Sequence, residues 1–144
     1  MVVYADTSFL FSLYAQDAHT GTAASCAAAL ARALLLTPLQ RFELRNALRL
    51  SVFRGDMAEL ECRRLIETID DDVRTGILAT FPVAWDTVFA QAETLSLEHA
   101  RDLGTRGFDV LHVACALALG AGQFCTFDSR QKELALRAGM TVPC

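Results

Sequence analysis

Short apolar runs alternate with longer helical patterns along this chain, and that alternation narrows its fold more than any other feature. VVYA at the start, LLLT at 34–37, ILATFPVAW near 80 and QFCTF at 123–127 have the length and content of buried strands. Helix signals fill the intervals. Thr37 and Pro38 read as an N-cap and first helical position, Asp56 with Glu59 as a capping box, Asp86 as the cap of a segment ending before Gly104, and Gly139 as the stop of the last helix. An alanine-rich helix is expected over 22–33. Strands that alternate with helices predict an α/β class, a central mostly parallel sheet flanked by helices. No repeat or linker interrupts the 144 residues, so one domain over 1–144 is expected.

A chain of this length with 53% hydrophobic residues can bury a core without disulfides or a structural metal. Asp6 interrupts the N-terminal apolar run and no Lys or Arg precedes it, which argues against a signal peptide. No stretch reaches the roughly 18 apolar residues a membrane helix requires, so a soluble, cytoplasmic protein with no membrane partner is expected. Cys26, Cys62, Cys115, Cys125 and Cys144 are odd in number and far apart, a pattern that fits reduced core thiols better than a disulfide framework. His19, His99 and His112 lack zinc-site spacing. The net charge of -4 argues against a protein that grips nucleic acid through overall charge, but leaves room for an acidic cleft.

Four acidic residues stand where chemistry is expected. Asp6 directly follows the first strand, and in an open parallel sheet the carboxyl ends of strands line the ligand crevice. Capping of the following helix is the alternative role. Glu43 falls on an apolar helical stripe with Leu39, Phe42, Leu50 and Phe53, with Asn46 one turn further on. An ionised carboxylate there must be paired, metal-bound or at the edge of a cleft. Arg41, Arg45 and Arg49 take the opposite side, as a solvated face. Asp109 opens the alanine-rich segment DVLHVACALALG, where the helix dipole alone would favour it. Asp128 follows QFCTF and has Gln131 three residues on, as in a capping box. Brought together, four carboxylates would repel, by about 4 kcal/mol per pair at 4 Å and an effective dielectric of about 20. A divalent cation removes that cost, and oxygen ligands without His or Cys favour Mg²⁺ or Mn²⁺.

The strings YADTSFL, FELRNAL, TRGFDVLHVACAL and TFDSRQKELALRAG, in that order and spacing, resemble the PIN-domain family, and within it the VapC-like toxins. The resemblance covers nearly the whole chain. It implies a PIN-like fold with an acidic pocket holding one or two Mg²⁺ or Mn²⁺ ions, and endonuclease activity on structured RNA such as tRNA or rRNA. By position, Asp6, Glu43, Asp109 and Asp128 match the family's acidic quartet, with Ser8 at the small polar position after the first Asp. The resemblance also implies a small antitoxin partner and a homodimer. A water activated by the cation would attack the phosphodiester in line, leaving a 5′-phosphate and a 3′-hydroxyl.

Arg106, just ahead of Asp109, is a candidate for RNA contact or local structure, and His112 for packing or hydrogen bonding on its helix. A Mg²⁺-dependent phosphatase of the haloacid-dehalogenase type requires an Asp two residues after the first, where Ser8 stands. No GxSxG elbow suggests a serine hydrolase. A PIN-like domain that only binds RNA or a partner would be expected to have a broken quartet, and this one is intact.

Overall fold

The apolar run that opens the sequence forms strand β1 (Val2–Ala5), which pairs in parallel with β4 (Ala121–Cys125). Tyr4 is in register with Phe124 and Ala5 with Cys125. Val3, Tyr4 and Ala5 are all fully buried, as expected of a parallel strand whose side chains are covered on both faces. The computed structural model describes residues 2–144, and the chain divides into two compact units. One comprises the residues up to Asp6 together with Pro82–Cys144, and the other is Thr7–Phe81.

In the first unit, α5 (Trp85–Leu95) runs through a π-helical turn (Ser96–Ala100) into the short α6 (Arg101–Leu103). Gly104 ends this segment with a φ of 65°, a left-handed conformation that costs glycine nothing. Asp86 lies within the first turn of α5 rather than at its cap, because the helix already begins at Trp85. Helix α7 (Gly107–Ala118) packs against α5 and is buried at Val110 and from His112 through Ala116, where small side chains allow close approach. The Tyr4 ring stacks on Phe124 with centroids 5.5 Å apart, and its hydroxyl shares a 2.8 Å hydrogen bond with His112 Nδ1. Helix α8 (Ser129–Arg137) closes the unit, with Gly139 at a φ of 91° just past its end.

The second unit holds α1 (Thr7–Tyr14), α2 (Thr20–Leu30), β2 (Leu34–Leu35), α3 (Pro38–Phe53), α4 (Glu59–Arg74) and β3 (Leu78–Ala79). Strands β2 and β3 pair in parallel, and Leu36 N–H extends the ladder to the Ala79 carbonyl at 2.9 Å. Helix α3 starts as expected: Thr37 Oγ1 accepts from Gln40 N–H, and Thr37 N–H donates back to Gln40 Oε1 at 2.7 Å. The expected box at Asp56 does not form. Helix α4 begins at Glu59 behind an extended Ala58, which leaves Asp56 in the preceding turn with its N–H bonded to the Ser51 carbonyl.

The apolar stripe read on α3 also departs from expectation. Its buried line is Gln40, Leu44, Leu48 and Ser51, whereas Phe42, Leu50 and Phe53 are 63%, 38% and 87% exposed. Gln40 and Ser51 can be buried because their polar atoms bond to nearby backbone, Gln40 to Thr37 and Ser51 to the Ala47 carbonyl. Arg41 and Arg45 are not simply solvated, since both bond Asp70 of α4.

The expected class, α/β with a parallel sheet flanked by helices, is the one observed. Among the described residues no helix is long and apolar enough to cross a membrane. Cys62, Cys115 and Cys125 are free and buried, as core thiols should be. Cys26 and Cys144, both only half-buried, are oxidised rather than free thiols, which corrects the expectation of five reduced cysteines.

Candidate active site

Asp6 extends the β1–β4 ladder by one residue, its N–H donating to the Cys125 carbonyl at 3.0 Å, so the sheet itself fixes where this carboxylate stands. It is 1% exposed. A buried carboxylate must find donors. Here Thr126 Oγ1 and Gln131 Nε2 both donate to Oδ2, at 2.7 and 3.0 Å. Burial, with the Asp6 charge added to it, pushes the neighbouring Cys125 thiol up to about 12, which keeps it neutral.

Asp109 lies in the first turn of α7 and is buried. The same Gln131 amide that reaches Asp6 donates to Asp109 Oδ1 at 3.1 Å, and Arg106 Nε donates to Oδ2 at 3.3 Å. Asp128, half-buried, caps α8, with Arg130 N–H and Gln131 N–H donating to its Oδ1 at 2.8 and 3.0 Å. Its own N–H donates to Thr126 Oγ1 at 2.9 Å. Thr126 therefore ties Asp128 to Asp6, and Gln131 ties Asp6 to Asp109. Three of the four acidic residues proposed from the sequence are thus linked through Thr126 and Gln131 within one compact unit.

In donor chemistry the three acidic residues match a hard cation. Of the three, Asp109 is paired with the Arg106 guanidinium, whose side chain is 77% exposed. The donors are all oxygen, the set that Mg²⁺ and Mn²⁺ prefer. Among the described residues Gln131 Oε1 is a buried acceptor without a hydrogen-bond partner.

The model of the PIN domain matches residues 3–136 of the sequence. This chain belongs to the PIN-domain family. PIN domains are typically nucleases and generally use divalent metal ions. Among solved structures, the chain is similar to the VapC20 toxin of Mycobacterium tuberculosis, described as cleaving the sarcin-ricin loop: the TM-score is 0.68 at 20% identity, over 96% of each chain. It is also similar to PAE2754 of Pyrobaculum aerophilum, with a TM-score of 0.61 at 15% identity, over 99% of this chain and 84% of that one. At such identities the likeness is one of fold. No curated protein matches the sequence.

The remaining expected residues of this PIN domain fall as follows. Glu43, on α3 in the second unit, is half-buried, and Thr7 Oγ1 donates to its Oε1 at 3.1 Å. Ser8 and Asn46 are exposed. His112 is buried and bonded to Tyr4, the structural role expected of it. Thr126 and Gln131 were not anticipated at the site. Thr126 is an ordinary residue of a strand end, and Gln131 reads as the far end of a capping box. The box stays open because Thr126 Oγ1 takes the Asp128 N–H, which releases the Gln131 amide to the carboxylates.

Proposed function

We propose that this PIN domain is a Mg²⁺- or Mn²⁺-dependent endoribonuclease that cleaves structured RNA, and that it is the toxin of a toxin-antitoxin pair. The observation that carries the reading is the gathering of Asp6, Asp109 and Asp128 around Thr126 and Gln131, with one guanidinium at its edge. Those carboxylates would hold the cation, and the sequence resemblance adds Glu43 as a candidate ligand. When bound, such a cation lowers the pKa of water and stabilises charge on phosphate oxygens.

The protein's own groups prepare for that chemistry. Thr126 and Gln131 donate to Asp6, so its buried carboxylate keeps hydrogen-bond partners. Asp109 keeps one oxygen toward Gln131 and the other toward Arg106. A guanidinium has five N–H donors, so Arg106 retains others with which to meet a phosphate. Ser8 and Asn46 are exposed polar groups suited to contacts with the RNA backbone. His112 Nδ1 shares its hydrogen bond with the Tyr4 hydroxyl.

Structured RNA, tRNA or rRNA, is the substrate class suggested by the resemblance and by the sarcin-ricin loop named for VapC20. The toxin role, a small antitoxin partner, a homodimer, a cytoplasmic location and one nuclease domain over 1–144 belong to the same proposal. Purified protein should cleave tRNA or rRNA with Mg²⁺ or Mn²⁺ and stop when EDTA is added. Undiminished cleavage in EDTA would overturn the cation-dependent reading, and RNA binding without cleavage in either metal would favour a binding domain.

A further inference from the structure

Gln131 stands out among the groups around the carboxylates. It is 5% exposed, and its amide NH₂ spends one hydrogen on Asp6 Oδ2 at 3.0 Å and the other on Asp109 Oδ1 at 3.1 Å. Its carbonyl oxygen is buried with no hydrogen-bond partner among the described residues. The reverse orientation of the amide would set that oxygen against two carboxylates, so the hydrogen-bond network itself assigns which atom is nitrogen. The backbone N–H of Gln131 meanwhile donates to Asp128 Oδ1 at 3.0 Å. One residue thus touches three acidic residues, although a helix cap requires only its backbone.

A buried acceptor without a partner is uncommon and calls for a physical explanation, and this one lies on the residue that bridges the acidic side chains. We infer that Gln131 is a positioning residue of the cation site: its NH₂ group holds the Asp6 and Asp109 carboxylates side by side before a cation arrives, and its buried carbonyl oxygen accepts a hydrogen bond from water in the cation's hydration shell. This inference rests on the cation-binding reading above. Two carboxylates gathered without a cation repel each other, and a neutral double donor between them offsets that repulsion without adding a charge that would compete with the metal. Mg²⁺ and Mn²⁺ favour such an arrangement because Mg²⁺ in particular gives up its waters reluctantly, which leaves hydration water for an outer acceptor. Removing an outer partner of this kind typically lowers metal affinity about 10- to 100-fold.

The test is Mn²⁺ binding, read from the electron paramagnetic resonance of the free ion, in wild type, Gln131→Met, Gln131→Glu and Asp109→Asn, each checked for folding by circular dichroism. Gln131→Met, similar in length but unable to donate, should bind Mn²⁺ about 10- to 100-fold more weakly than wild type. Gln131→Glu, which replaces the donor by a further negative charge, should melt lower than wild type in EDTA and gain more from Mn²⁺ than wild type does. Wild-type affinity in folded Gln131→Met, with Asp109→Asn impaired, would overturn the role of Gln131 and leave the cation reading intact. Should Gln131→Met fail to fold, a Mn²⁺-induced gain in Gln131→Glu no larger than that of wild type would overturn it instead. Absence of Mn²⁺ binding by wild type would remove both readings together.

Discussion

Asp109 has two roles that one substitution separates, since asparagine serves the first turn of a helix nearly as well but brings no negative charge. Asp109→Asn should keep the circular dichroism spectrum of wild type while RNA cleavage falls by more than about 100-fold, beyond the loss expected for an outer partner of a metal. Cleavage at the wild-type rate by the folded variant would make Asp109 structural. Tyr14 is a second residue whose environment sets a measurable property. Its hydroxyl donates to Asp72 Oδ2 at 2.5 Å, and burial first, then the bond and charge of Asp72, raise its pKa above the ordinary value of 10.0. Above pH 10 the unfolded chain ionises Tyr14 while the folded protein keeps the proton, so this contribution, full below pH 10, declines as pH rises. Urea midpoints should therefore fall more between about pH 8 and about pH 10.5 in wild type than in Tyr14→Phe, and parallel declines would count against the buried bond. Asp6, Asp109 and Asp128 were legible in the sequence because strand ends and helix starts are fixed by local pattern. Thr126 and Gln131 were not, because a complete local explanation hid a contact that only tertiary structure makes.

Helix boundaries divide the same way. Thr37, Pro38 and Gln40 specify the start of α3 within four residues, and the reciprocal bonds expected of them are present. Thr37→Ala should cost about 1 kcal/mol in urea unfolding, the usual value of a lost cap, and an unchanged midpoint would show that the Gln40 side chain alone holds the turn. The ends at Gly104 and Gly139 were equally legible, because each requires a left-handed residue. Which face of α3 is buried was not. Phe42, Leu50 and Phe53 make the more apolar stripe, yet the line through Gln40 and Ser51 is buried because local hydrogen bonds remove the cost of burying those polar groups. Strands β2 and β3 are shorter than their apolar runs. Beyond Ala79 the run reaches Pro82, which has no N–H with which to extend a ladder.

For the whole molecule, the alternation of apolar runs and helical patterns was sufficient to set the α/β class, and four short strings to suggest the PIN family that the match over residues 3–136 establishes. The cysteines were less legible, because spacing along the chain says nothing about which thiols end up half-buried and oxidised. The net charge of -4, unfavourable for a protein that binds RNA through bulk charge, is reasonable for one that gathers carboxylates for a cation. Such gathering has a thermodynamic signature at the scale of global unfolding. A cation bound only by the folded state adds about 2.7 kcal/mol when its free concentration is about 100 times the dissociation constant. Asp6 is the most buried of the three acidic residues and receives donors from both Thr126 and Gln131, so its neutralisation relieves repulsion and removes a ligand at once. Thermal melts of wild type and Asp6→Asn, each in EDTA and in saturating Mn²⁺, test the central claim most directly. The account predicts that Asp6→Asn melts at or above wild type in EDTA and that Mn²⁺ raises the wild-type transition much more than that of the variant; equal shifts in the two, or no shift in either, would contradict it.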